Sequence, residues 1–275
     1  MGRQKAVVRV RKEAKRMTRK ESRRGRFNDD NVSVFIPAGG VEAIGMAREK
    51  RDHSTVLPRN DAQDKYIQAI AHKQLIIANG EAGCGKTFIS TALAADALIN
   101  KEIERIIVTR PVLQAEEDLG FLPGDMSDKF APYFRPVYDI LVKRMGASFL
   151  QYCLRPEIGK VEIAPFAYMR GRTFENAVVI LDEAQNVTVT QMKMFLTRMG
   201  ENVTVIVNGD VSQCDLPGNV PSGLADVLRR FSDDEMVSVV SFTQDDCVRS
   251  SLCLRALQAY IPLSIQTTGS LAVLS

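Results

Sequence analysis

A chain of 275 residues that is 45% hydrophobic can bury one full α/β core, and it holds no apolar run near the roughly 20 residues that span a membrane. Five cysteines (Cys84, Cys153, Cys214, Cys247 and Cys253) show no C-x-x-C spacing, which argues against zinc and disulfide frameworks and fits a reducing cytosol. Twelve Lys and Arg residues against Glu13 and Glu21 put +10 on residues 1–26, so the chain total of +3 leaves −7 for the remainder.

That basic arm, residues 1–26, reads either as a polyanion-binding segment, with nucleic acid the first candidate, or as a solvated tail. Its lack of an apolar core also argues against a secretion signal. Residues 27–57 form a linking extension, with a Pro-Ala-Gly-Gly turn and a short helical pattern over 41–50. From residue 58 to 262 the chain alternates strand and helix patterns, the mark of a mostly parallel sheet with helices on both faces. Strands are predicted over 75–78, 106–109, 161–164, 178–181, 203–207 and 236–241. Helices are predicted over 61–71, 88–100, 137–144, 188–197, 224–231 and 250–260. Residues 263–275 read as a loose tail.

Gly80-Glu81-Ala82-Gly83-Cys84-Gly85-Lys86-Thr87 fits G-x-x-x-x-G-K-[ST] without mismatch. It follows a strand and opens a helix, where glycines let successive N–H groups turn inward and the helix start adds its positive end. These eight residues, with Phe88 just inside the helix, are the expected nucleotide cradle. Lys86 is expected on the β- and γ-phosphates, and the Thr87 hydroxyl on Mg²⁺. A plain Gly-rich turn is the bland alternative, and it leaves the register of strand, loop and helix unexplained.

Such a loop calls for a carboxylate at the end of a neighbouring strand. Ala177-Val178-Val179-Ile180-Leu181 ends in Asp182-Glu183, which supplies Asp182 for the metal and Glu183 to polarise the attacking water. The next strand ends in Asn208-Gly209-Asp210 with Gln213 beyond, polar groups placed for the γ-phosphate or its water. Gln63, at a helix start, carries the side chain best suited to an adenine edge, although a solvated glutamine is the commoner case. Arg110, Arg170, Arg172 and Arg249 are candidates for the positive charge that phosphoryl transfer needs; spacing does not choose among them.

Several ordered runs carry a family likeness. Thr109-Arg110-Pro111, Leu119-Gly120-Phe121-Leu122-Pro123-Gly124-Asp125, Tyr168-Met169-Arg170-Gly171-Arg172-Thr173-Phe174 and Ile180-Leu181-Asp182-Glu183-Ala184-Gln185-Asn186 resemble the PhoH family of ATP-binding proteins. So do Asp215-Leu216-Pro217 and Ser222-Gly223-Leu224, and the likeness spans about three-quarters of the chain. Ser250-Ser251 after Arg249, and Glu116-Glu117-Asp118 before Leu119, depart from the family pattern.

The resemblance implies a RecA-like P-loop NTPase core akin to one motor domain of superfamily 1 helicases. In that comparison Gln63 resembles the adenine-sensing glutamine, and Asp182-Glu183-Ala184-Gln185 the magnesium and water-activating motif. Gly209-Asp210 with Gln213 resembles the motif coupling the γ-phosphate to nucleic acid. Arg249 resembles the family arginine near the end of the core and is the first choice for a finger reaching a neighbouring subunit's nucleotide. Family members are described as ATPases, some in rings of six, and some relatives fused to a nuclease domain unwind RNA; no room for a nuclease is expected here.

The expectation is therefore an ATPase using ATP and Mg²⁺, acting on or stimulated by single-stranded RNA or DNA as a homo-hexamer. It would work in the cytoplasm, the host's if the chain is phage-encoded. A nucleotide-dependent assembly protein with slow hydrolysis is the alternative. A small-molecule kinase is a weaker third, since nothing resembles a lid or acceptor pocket.

Overall fold

The computed structural model describes residues 51–111, 126–232, 234–248 and 255. The expected arm 1–26, the helical pattern 41–50, the helix 250–260 apart from residue 255, the tail 263–275, the Leu119 to Asp125 block and Arg249 lie outside the described residues.

Local chemistry sets the first elements. Helix α1 (Asp61–His72) starts at Asn60, whose side chain accepts the Gln63 N–H at 2.8 Å, and Asp61 and Asp64 sit against its positive end. Strand β1 (Leu75–Gly80) leads through a glycine-rich loop into α2 (Lys86–Ile99), and β2 (Arg105–Arg110) follows. Next come α3 (Met126–Met145), α4 (Ala147–Cys153), β3 (Val161–Pro165) and β4 (Ala177–Leu181). The described order closes with α5 (Val189–Leu196), β5 (Val203–Gly209), α6 (Gly223–Arg230) and β6 (Val237–Phe242).

All six strands run parallel in the order β3-β2-β4-β5-β1-β6. Alternating side chains divide the core between the two faces of this sheet. Ile76, Ile106, Ile180 and Ile206 pack with Tyr66, Ile89, Leu141 and Leu150 from α1 to α4. Ile77, Ile107, Val179 and Val207 pack on the other face with Met192 and Phe195 of α5 and with Leu224 and Val227 of α6. Each predicted strand is present, and the sheet is parallel with both faces covered.

Helix α3 is much longer than the predicted 137–144 because it runs through Pro132 and Pro136. An interior proline removes a backbone hydrogen bond and crowds the preceding turn, so sequence reasoning stops the helix there. Packing overrides that penalty: Phe134, Val137, Leu141 and Met145 are all buried in the core. The seven-residue α4, which buries Leu150 and Cys153, is too short to show a period and has no sequence counterpart in the predicted set.

The strand order positions everything that follows. Strand β5 lies between β1 and β4, and Leu181, Val207 and Ile77 share one row of the sheet. The chain beyond each strand therefore emerges at one carboxyl edge, where open α/β sheets hold ligands. A buried network supports that edge from below. The Tyr66 hydroxyl donates to Asn208 Oδ1 at 2.5 Å, Asn208 Nδ2 to Ser90 Oγ at 3.0 Å, and Ser90 Oγ to the Lys86 carbonyl at 2.9 Å. Tyr66→Phe strands the Asn208 carbonyl and is expected to cost about 1–3 kcal/mol in urea denaturation. An unchanged midpoint at unchanged slope would remove the network from this supporting role.

Candidate nucleotide-binding site

The loop after β1 curls because Gly80, Gly83 and Gly85 take φ of 147°, 96° and 85°. Gly80 is also pinned by packing, since a β-carbon there would stand 2.6 Å from Phe242 Cβ at the end of β6. Gly85 opens α2 without a side chain to cap it, so the first-turn N–H groups stay available to an anion. Lys86 Nζ folds back over the loop and donates to the carbonyls of Gly80 at 2.5 Å and Glu81 at 2.9 Å. Burial lowers the Lys86 pKa, opposed by Cys84 and by the Asp210, Asp182 and Glu183 carboxylates.

Across β5, the Thr87 hydroxyl donates to Asp182 Oδ1 at 2.8 Å. Asp182 is buried, which pushes its carboxyl above the ordinary carboxylate range, while Arg110 and Thr87 pull the other way. Glu183 takes the left-handed conformation at φ 55° and turns its carboxylate between two donors. Arg110 Nη2 donates to Glu183 Oε1, and Gln185 Nε2 donates to Oε2 at 2.7 Å. Arg110 Nη1 also donates to the Tyr133 carbonyl at 2.6 Å, which ties α3 to the acidic pair.

Gln185 joins this pair to the end of β5, where its Oε1 accepts the Asp210 N–H at 3.1 Å. Gly209 makes the approach possible, because a β-carbon there would lie 2.8 Å from Gln185 Oε1. Asp210 in turn accepts from Ser212 Oγ at 2.6 Å and from Gln213 Nε2 at 2.8 Å.

These groups line one cavity of about 380 Å³, with Ala82, Gly83, Gly85, Lys86, Thr87 and Phe88 on one side and Arg110, Asp182, Glu183, Asp210 and Gln213 on the other. A second cavity, about 480 Å³, shares Gly85 and Phe88 and is walled by Gln63, Arg59, Val56 and Lys143. Gln63 is buried, with Nε2 donating to the Cys84 carbonyl at 3.0 Å and Oε1 accepting the Arg59 N–H at 2.9 Å. Its amide therefore braces the loop, with one donor hydrogen and one lone pair left over.

Of the three candidate arginines among the described residues, Arg110 is the one in this cavity. Arg172 forms an ion pair with Glu162 and stacks over Phe174, and Arg170 is exposed; neither lines the cavity. The Arg110–Glu183 contact and the Gln185 bridge escaped sequence reasoning because strand adjacency decides them. Thr109 pairs with Leu181, which sets Arg110 beside Asp182, and spacing along the chain carries no trace of that register.

The donor set fits the groups that such a loop implies. A hydroxyl and a buried carboxylate sharing one hydrogen offer hard oxygen ligands to a divalent cation, and the Gly-rich turn with Lys86 offers N–H and ammonium donors to phosphate. A parallel sheet with one strand between the loop strand and the acidic strand, bearing these residues at its carboxyl edge, defines a P-loop NTPase domain of the RecA-like class. The sequence profile described as PhoH-like protein matches residues 55–261, and the chain belongs to the PhoH family. It is 70% identical over 261 residues to Protein PhoH of Escherichia coli (strain K12), covering 94% of this chain and 74% of that protein. It is 47% identical over 198 residues to the PhoH-like protein of Bacillus subtilis (strain 168), covering 72% and 61%. Among solved structures, the large terminase of a thermophilic bacteriophage aligns over 76% of this chain and 52% of that one, at 13% identity and a TM-score of 0.46.

Gly80→Ala tests the packing of the loop on β6. It is expected to lower stability by about 1–3 kcal/mol through overpacking against Phe242, read by thermal unfolding. Wild-type stability in that variant would mean the loop is free to move off the strand.

Proposed function

We propose that this chain is an ATPase, with residues 58–262 as its catalytic domain, that binds ATP with Mg²⁺ and hydrolyses it. The observation that carries this reading is the 2.8 Å hydrogen bond between Thr87 and Asp182, made in the same cavity that holds Lys86 and Glu183. Thr87 and Asp182 would hold the metal. When bound, Mg²⁺ neutralises charge on the β- and γ-phosphate oxygens. Residues 80–87 cradle the phosphates, Lys86 balances their charge, and Asp210 with Gln213 faces the γ-phosphate. The cavity beside Gln63 and Phe88 takes the base. Glu183 is the group that orients water and accepts its proton.

A general base of this kind contributes about 10²–10⁴ in rate. Glu183→Gln is therefore expected to keep ATP affinity while kcat falls by about a hundredfold or more, and Lys86→Ala to lose both. Equal turnover in the Glu183 variant would remove it from that role.

A second reading has its own support. Both Glu183 oxygens are engaged, one by Arg110 and one by Gln185, which suits a nucleotide-gated assembly protein that hydrolyses slowly until a partner frees the carboxylate. Single-stranded RNA or DNA is the proposed partner, supported by the basic arm and the family resemblance. A ring of six identical subunits would let Arg249 reach a neighbour's nucleotide. The proposed location is the cytoplasm; among the described residues no helix is long and apolar enough to cross a membrane.

Deleting residues 1–26 tests the arm. Filter binding of single-stranded RNA and DNA across a salt series is expected to show weaker affinity and a flatter salt slope in the truncated chain. An unchanged slope would reduce the arm to a solubility tail.

A further inference from the structure

Two thiols meet behind the phosphate loop. Cys84 Sγ, wholly buried, lies 3.3 Å from Cys247 Sγ in the segment that follows β6, and both cysteines are free. Sulfur and backbone contacts lace that segment to the loop. Cys84 Sγ reaches the Thr243 carbonyl at 3.6 Å, Cys247 Sγ the Ala82 carbonyl at 3.6 Å, and the Val248 N–H donates to the Gly83 carbonyl at 3.2 Å. Cys247 is partly exposed, so an oxidant reaches it first.

We infer that Cys84 and Cys247 are a redox modification site, closed to a disulfide by a peroxide and reopened by a thiol reductant, and that closure switches off nucleotide binding. The switching half rests on the reading that residues 80–87 hold the nucleotide. Hydrogen peroxide converts the Cys247 thiol to a sulfenic acid and releases one water. Cys84 sulfur then displaces the sulfenic hydroxyl, which leaves with the Cys84 proton as a second water. The two electrons lost by the sulfurs enter the broken O–O bond.

Closure draws sulfurs now 3.3 Å apart to about 2.05 Å. The loop has little room to absorb that shift. Gly80 is packed on Phe242, and the Cys84 carbonyl is held by Gln63. Moving Cys84 therefore moves the N–H groups of its own turn away from the positions that would grip phosphate. Loss of one such hydrogen bond to a charged group lowers affinity about tenfold or more.

The test uses the full chain. It is treated with hydrogen peroxide, alkylated and digested without reduction, while binding of a fluorescent ATP analogue is titrated before oxidation, after it, and after dithiothreitol. The expected result is a peptide linking Cys84 to Cys247, at least about a tenfold loss of affinity, and recovery on reduction. Cys247→Ser is expected to bind like the parent and to hold that affinity through peroxide. Three results would overturn the inference: both thiols alkylated with no linked peptide, a linked protein binding as well as the reduced one, or a Cys247→Ser variant as sensitive as the parent. A reduced protein that binds no ATP analogue would overturn the nucleotide reading instead, since the linked peptide reports the pairing by itself.

Discussion

The hydrogen bond from Thr87 to Asp182 closes a circuit through the sheet. Asp182 follows β4 and the loop leading to Thr87 follows β1, two strands separated by β5; neighbouring strands lie about 4.8 Å apart, so the chain must bridge about 10 Å. It does so by climbing through the glycine loop and descending into α2, which lays Thr87 against the far strand. Removing any piece of that path moves Thr87. Gly80 sits too close to Phe242 to carry a side chain, and Gly85 turns the chain into the helix. The Tyr66–Asn208–Ser90 network then fixes the helix from beneath. The site is thus a consequence of strand order and of three backbone positions, more than of loop residues acting alone.

Charge at the same edge is arranged in opposing pairs. Burial by itself would disfavour the ionised forms of both Lys86 and Asp182, and each is offset by partners of the other sign. Arg110 is the pivot. Its side chain is 19% exposed, it contacts both acids of the strand end, and its second nitrogen is fixed by the Tyr133 carbonyl. A solvated ion pair would contribute little order. This one is anchored to α3 on one side and to Glu183 on the other, so a displacement of α3 is felt at the acidic pair. Gln185 extends the same linkage to Asp210 and Gln213. The polar edge therefore behaves as a connected set rather than a list of side chains.

The sheet and its phosphate loop were legible in the sequence because short apolar runs between turn residues leave few other structures open. The six strands and the G-x-x-x-x-G-K-T register follow from period and composition alone. The course of α3 does not, because tertiary packing of Phe134 and Val137 outweighs the two prolines that local reasoning treats as a stop. Gln63 was legible as a candidate for the adenine edge, but its double use as a brace on Cys84 and Arg59 depends on how α1 docks. Spacing alone left Arg110 as one of four candidate arginines, with Arg249 preferred by the family resemblance; the pairing of β2 with β4 is what sets Arg110 beside Glu183. Period and motif encode what each segment is; contacts between segments far apart in sequence decide which side chains meet.

The most direct measurement is calorimetric titration of ATP with and without Mg²⁺, on the unmodified chain and on Asp182→Asn. If Thr87 and Asp182 form the metal position, Mg²⁺ should strengthen ATP binding in the unmodified chain, and that gain should vanish in the variant. Metal-free affinity in the variant should be retained, because the loop and Lys86 are left in place. An equal gain from Mg²⁺ in both proteins would contradict the assignment of this hydrogen-bonded pair as the centre of the site.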